Sequence, residues 1–221
     1  MVAADSYDNI LKYLSGKGGG SPYMCGLLFA PGASTIGKAI YERFLDWHYR
    51  SGKNFIIFCV GYGSWKTFPD QKPVALLPGP AGCTPTEIYY NPSTFNNVRR
   101  TVQSASAWRY SGEADLLLVN VVHLDNRDVP MLDFENMIAL DVDRLIQEKV
   151  FATPARLLER VCQAADDASA AGYHITVSQF SDKQMLSSVL RGAMTKIVAA
   201  LQLDTVVGAR HFLVGSNFLK T

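Results

Sequence analysis

The sequence predicts an α/β protein: a mostly parallel sheet with helices on both faces, three layers in all, preceded by a short N-terminal helix on a glycine-rich linker. Three observations predict it. Four runs are apolar at successive positions, as strands buried on both faces are: residues 24–30 (MCGLLFA), 54–60 (NFIIFCV), 115–122 (DLLLVNVV) and 136–142 (NMIALDV). Amphipathic stripes of helical period separate them. The chain has 221 residues, 48% hydrophobic and 19% charged, enough apolar mass for one sizeable core.

Taken in order, residues 7–14 read as a helix with Ile10, Leu11 and Leu14 on one face. SGKGGGSP (15–22) reads as a flexible linker, so residues 1–22 stand apart from a single domain over 23–221, and the segment up to Gly20 is expected to be dispensable. The strand at 24–30 leads to a helix over 39–51, with Ile40, Phe44, Trp47 and His48 on one stripe and Gly52 as its stop. The strand at 54–60 leads into a proline-rich, irregular stretch over 61–92, broken by a short strand at 74–77. Loops of that length are often functional. Asn91 caps a helix with Pro92 at its first position and Phe95, Val98, Val102 and Ala105 on its apolar face. Thr153-Pro154 opens another, carrying Leu157, Leu158, Val161, Cys162 and Ala165 to a stop at Gly172. HITVSQF (174–180) reads as a strand. Ser181 with Gln184 makes a capping box before Leu186, Val189, Leu190, Ala193, Ile197 and Ala200, and HFLVGSNF (211–218) adds an edge strand.

Charge and cysteine usage exclude several classes. Lys and Arg total 21 against 20 Asp and Glu, without the basic run of a duplex nucleic-acid binder. Cys25, Cys59, Cys83 and Cys162 are too far apart in sequence for a zinc knuckle or a dithiol motif and suit a reducing compartment. Neither a secretory leader nor an apolar run of membrane-spanning length is present, so the expectation is a soluble cytoplasmic protein, with an oligomer possible.

In an open parallel sheet, ligands sit beyond the carboxyl ends of the strands. Four polar groups fall there: PGASTIGK after the first strand, GYGSW after the second, His123-Leu124-Asp125 after the third and Asp141-Val142-Asp143 at the end of the fourth. Gly32, Ser34, Thr35, Gly37 and Lys38 have the spacing of a phosphate cradle, in which backbone N–H groups and a lysine meet an anion. Ala39 stands where a hydroxyl would hold magnesium. The same residues read equally as a tight turn with a capped helix start. Tyr62 and Trp65 are candidates for stacking on a ring, or core aromatics around a turn at Gly61 and Gly63. Asp141 and Asp143 share a face in an extended strand and could hold Mg²⁺ or another divalent metal; alternatively Asp143 caps the next helix. His123, Asp125, Asp141, Asp143 and Glu113 are the weak catalytic candidates. In WRYSGEADLLL, Trp108, Tyr110 and Glu113 form either a ring-and-hydroxyl recognition surface or an aromatic plug ahead of a strand.

The stretches WHYRSGKNFIIFCVGYG and WRYSGEADLLLVN together resemble a loose group of small bacterial α/β proteins to which no activity is assigned. The resemblance covers the middle half of the chain. It implies a pattern centred on His48, Arg50, Ser51, Gly52 and Tyr62, then on Trp108, Tyr110, Ser111, Gly112 and Glu113, and not on Lys38. By analogy it implies an accessory role in bacterial stress or phage defence. Three functional readings stand: a binder of a nucleotide or other phosphorylated small ligand at the carboxyl edge of the sheet, an interaction subunit that meets another protein, and a metal-dependent hydrolase or nuclease.

Overall fold

The computed structural model describes residues 1–17, 22–51, 54–64, 66–70, 72–77, 86–124, 129–180 and 212–214. In chain order the elements are β1 (Val2–Ala4), α1 (Tyr7–Ser15), β2 (Tyr23–Phe29), α2 (Thr35–Tyr41), α3 (Phe44–Ser51), β3 (Ile56–Val60), β4 (Tyr62–Gly63), β5 (Pro73–Leu77) and β6 (Thr86–Tyr90). There follow α4 (Pro92–Ala105), β7 (Asp115–Val122), β8 (Met131–Asp141), α5 (Val142–Gln147), α6 (Pro154–Ala170), α7 (Val177–Phe180) and β9 (Phe212–Val214). Trp65, Cys83, Asp125, residues 18–21 of the glycine-rich linker and the helix expected after Ser181 lie outside the described residues.

The main sheet has six strands in the order β1-β3-β2-β7-β8-β9, and the four apolar runs lie side by side in it. Their directions correct the expected mostly parallel, three-layer sheet. β1, β3 and β2 are parallel, but β2 pairs antiparallel with β7 over seven residues, and β7 pairs antiparallel with β8. β9 returns parallel to β8 at the edge. Apolar character on both faces reports burial, and burial is blind to direction. The eight residues between β7 and β8 are too few for a parallel crossover, which needs a dozen or more.

Alternate side chains feed two cores. Leu28, Ile57, Cys59, Leu116, Leu118, Ile138 and Leu140 face Ile36, Trp47, Leu145, Leu157, Leu158 and Val161 from α2, α3, α5 and α6. Leu27, Phe29, Phe58, Val60, Leu117, Val119 and Ala139 face Ile10 and Leu14 of α1 and Phe95, Val98 and Val102 of α4. Helix starts follow the sequence: the side chains of Ser6, Asn91 and Thr153 accept from Asn9, from Ser93 and Thr94, and from Arg156 respectively.

Other local expectations change. The helix over 39–51 is two helices, α2 and α3. Residues 174–180 hold α7 instead of a strand. The stretch 61–92 contains a three-stranded sheet in the order β4-β6-β5. Gly61 turns the chain into it with φ +86°, and a Cβ there would lie 2.7 Å from Cβ of Phe95, so the turn is a close approach that only glycine permits. The segment before Gly20, expected to be dispensable, contributes to the sheet and core: β1 is the first strand of the main sheet, and Ile10 and Leu14 are buried in the second core.

Candidate functional site

Strand direction decides which polar groups meet. β2, β3 and β8 run the same way, so residues 31–38, 61–63 and 141–143 share one edge. β7 runs the other way and sends its beginning there, so Trp108, Tyr110, Glu113 and Asp115 belong with them. His123 follows the far end of β7 and sits at the opposite edge beside Tyr23, with ring centroids 6.4 Å apart. It does not join the carboxylates, which corrects the expected convergence.

The glycine loop is a capped helix start. The Ser34 hydroxyl donates to the Pro31 carbonyl (2.9 Å) and accepts from the Gly37 N–H (2.9 Å). The Ser34 and Lys38 N–H groups donate to the carbonyls of Pro31 and Ser34. Three donors of the supposed cradle are therefore engaged within the chain. Thr35 and Lys38 are exposed. Gly32 lies against Tyr90, whose ring would be 3.3 Å from a Cβ. At Gly37 a Cβ would fall 2.1 Å from the Pro31 carbonyl oxygen. Gly37→Ala is expected to destabilise by about 3 kcal/mol, the upper end of overpacking costs. Lys38→Ala and Ala39→Ser are expected to leave both melting temperature and ligand affinity unchanged. Thermal melts and titrations of the three variants check this.

Two of the aromatic candidates, Tyr62 and Trp108, are core, and Tyr110 is half-buried. Tyr62 is buried and donates its hydroxyl to the Ala30 carbonyl (2.9 Å), with its ring 4.9 Å from that of Tyr90. Trp108 is fully buried against Phe29, and its Nε1–H donates to Oδ2 of Asp115 (3.0 Å). The Tyr110 hydroxyl donates to the Glu113 carbonyl, while the Arg99 guanidinium lies 5.4 Å from the centre of its ring.

Asp141 caps α5, where Asp143 was the expected cap; Asp143 lies in the first turn of the helix. Oδ1 of Asp141 accepts from the Arg144 N–H (2.9 Å) and starts α5; Oδ2 of Asp143 accepts from the Ala114 N–H (2.8 Å). Burial raises the Asp143 carboxyl above its ordinary range. Asp115 lies opposite Asp141 in the sheet register and is fully buried. Among the described residues no group of three or more His, Cys, Asp or Glu is placed to hold a metal ion.

A different constellation forms between α3 and α6, around a cavity of about 540 Å³. Arg43, Trp47 and Arg50 line it from one side, and Thr153, Ala155, Arg156 and Glu159 from the other. Arg50 reaches Oε1 of Glu159 at 2.5 Å, and Arg156 reaches Oε2 at 3.3 Å. These bonds, chiefly the one from Arg50, hold the Glu159 carboxyl below its ordinary range. Arg43 has no acidic partner among the described residues. His48, on the same helix, places Nδ1 2.6 Å from the Met1 carbonyl oxygen. Of the expected ligand residues that are described, only Arg50 lines this cavity. The sequence does hold a signal for the others: Arg43, Trp47 and Arg50 recur at i, i+4 and i+7, and Thr153, Arg156 and Glu159 at every third position.

Among the described residues no helix is long and apolar enough to cross a membrane. No protein-family model matches the chain, and no curated protein or solved structure is detectably similar to it.

Proposed function

We propose that this protein binds a phosphorylated small ligand in the groove between α3 and α6. One observation carries the reading: three guanidinium groups line one cavity, whose single carboxylate, Glu159, binds only Arg50 and Arg156. Guanidinium forks match phosphate oxygens bidentately and stay charged at every physiological pH. A cavity of about 540 Å³ falls within the range of small-ligand sites. Binding, not turnover, is the proposed activity.

A thermal-shift series with nucleotides, sugar phosphates and pyrophosphate, with and without magnesium, tests it. A ligand at about 100 times its dissociation constant stabilises the folded state by about 2.7 kcal/mol. For a chain of this size that raises Tm by about 5–10 °C. The double variant Arg43→Ala, Arg156→Ala alters exposed side chains and is expected to keep its own Tm while losing the shift. A shift that survives in the double variant would place the ligand elsewhere, and no shift with any phosphate would end the reading.

A further inference from the structure

The charges around the groove also point to the class of phosphate, an inference that rests on the reading just given. Glu159 has one negative charge to share among three cations. Its Oε1 is committed to Arg50 at 2.5 Å. Its contact with Arg156 is longer, 3.3 Å, and the Arg156 side chain is 71% exposed. Arg50 and Glu159 thus form a neutral wall, leaving Arg43 unpaired among the described residues and Arg156 loosely held. Two positive charges in the cavity lining remain for a ligand. We propose that the groove selects a phosphomonoester dianion, held between Arg43 and Arg156, over a phosphodiester monoanion, with Glu159 as the internal counter-ion that sets this preference. A monoester offers three non-bridging oxygens and two charges to two guanidinium forks. A diester offers two oxygens and one charge, so one arginine is left without a charged acceptor.

AMP and 3′,5′-cyclic AMP carry the same base and differ in this respect, which makes them the probes. Isothermal titration of the full chain is expected to give AMP an affinity at least about tenfold higher, the value of one charge-assisted hydrogen bond. Arg156→Gln is expected to bring AMP down to the affinity of the cyclic nucleotide. Glu159→Gln, which releases Arg50, is expected to tighten both ligands and, because the energy scales with the ligand's charge, to let the dianionic AMP gain more. Equal and measurable affinities for the two nucleotides in the wild type would overturn the selectivity while leaving a phosphate site in place. So would a Glu159→Gln variant that binds both as the wild type does. Binding of neither nucleotide, with no response to pyrophosphate in the thermal series, would overturn the site itself.

Discussion

A chain shortened to begin at Ser21 is expected to lose cooperative folding or to melt at least about 10 °C lower. Ile10 and Leu14 are essentially fully buried in the core beneath β2, β3 and β7. Burying such side chains contributes about 1.5–3 kcal/mol each. Their loss alone removes about 3–6 kcal/mol from a domain whose whole stability is typically about 5–15 kcal/mol. The truncation also strips β1 from β3, exposing the backbone of residues 58–60 and the faces of Phe58 and Val60. Circular dichroism melts of the two chains decide the matter. A shortened chain melting within about 2 °C of the full one would show that these contacts do not hold the fold together.

Asp115 gives the second large effect, through pH. Its Oδ2 accepts from the Trp108 Nε1–H and the Ser111 N–H, both at 3.0 Å, and its Oδ1 is buried with no hydrogen-bond partner. Burial pushes its carboxyl up to about 7, the Ser111 and Trp108 donors oppose the rise, and the Asp141 charge across the register adds to it. In the unfolded chain an aspartate ionises near 3.9, at about 1.36 kcal/mol per pH unit of difference. Between about pH 4 and pH 7 the folded state therefore keeps a proton that the unfolded chain has released. The stability linked to this proton is complete below about pH 4 and is lost as pH rises through about 7, amounting to about 4 kcal/mol. Asp115→Asn keeps an acceptor for Trp108 and Ser111 but cannot ionise. Urea midpoints at pH 5 and pH 8 are expected to fall in the wild type and to fall much less in the variant, which is the more stable of the two at pH 8. Parallel slopes for the two proteins would contradict this account of Asp115.

The positions of the central strands were legible in the sequence because each is apolar on both faces, and both faces of the sheet are covered. Their directions were not legible from that feature. The eight residues between Val122 and Met131 were the better guide to the antiparallel pair. β1 was missed because three residues, VAA, carry almost no pattern, and the glycines after α1 suggested a detachable arm where the chain in fact joins the sheet. At the carboxyl edge, residues 32–38 were singled out by spacing, but spacing does not reveal that Ser34 already occupies the N–H group of Gly37. WRYSGEADLLL did contain an acid with a partner in the ring of Trp108; that acid is Asp115, hidden in what reads as the first residue of a strand. Each half of the arginine groove was legible as a helical spacing, but their meeting was beyond local reasoning, since Arg50 and Glu159 are more than a hundred residues apart and the packing of α3 on α6 brings them together.

The proposed ligand site is tested most directly by nuclear magnetic resonance of arginine side chains during titration with AMP, using Arg43→Lys and Arg156→Lys to identify the Nε–Hε signals. The account predicts that the signals of Arg43 and Arg156 move with AMP concentration while those of Arg99 and Arg144, which lie outside the groove, stay in place. Saturable binding that leaves Arg43 and Arg156 unmoved, and instead shifts the backbone amides of residues 32–38, would contradict it.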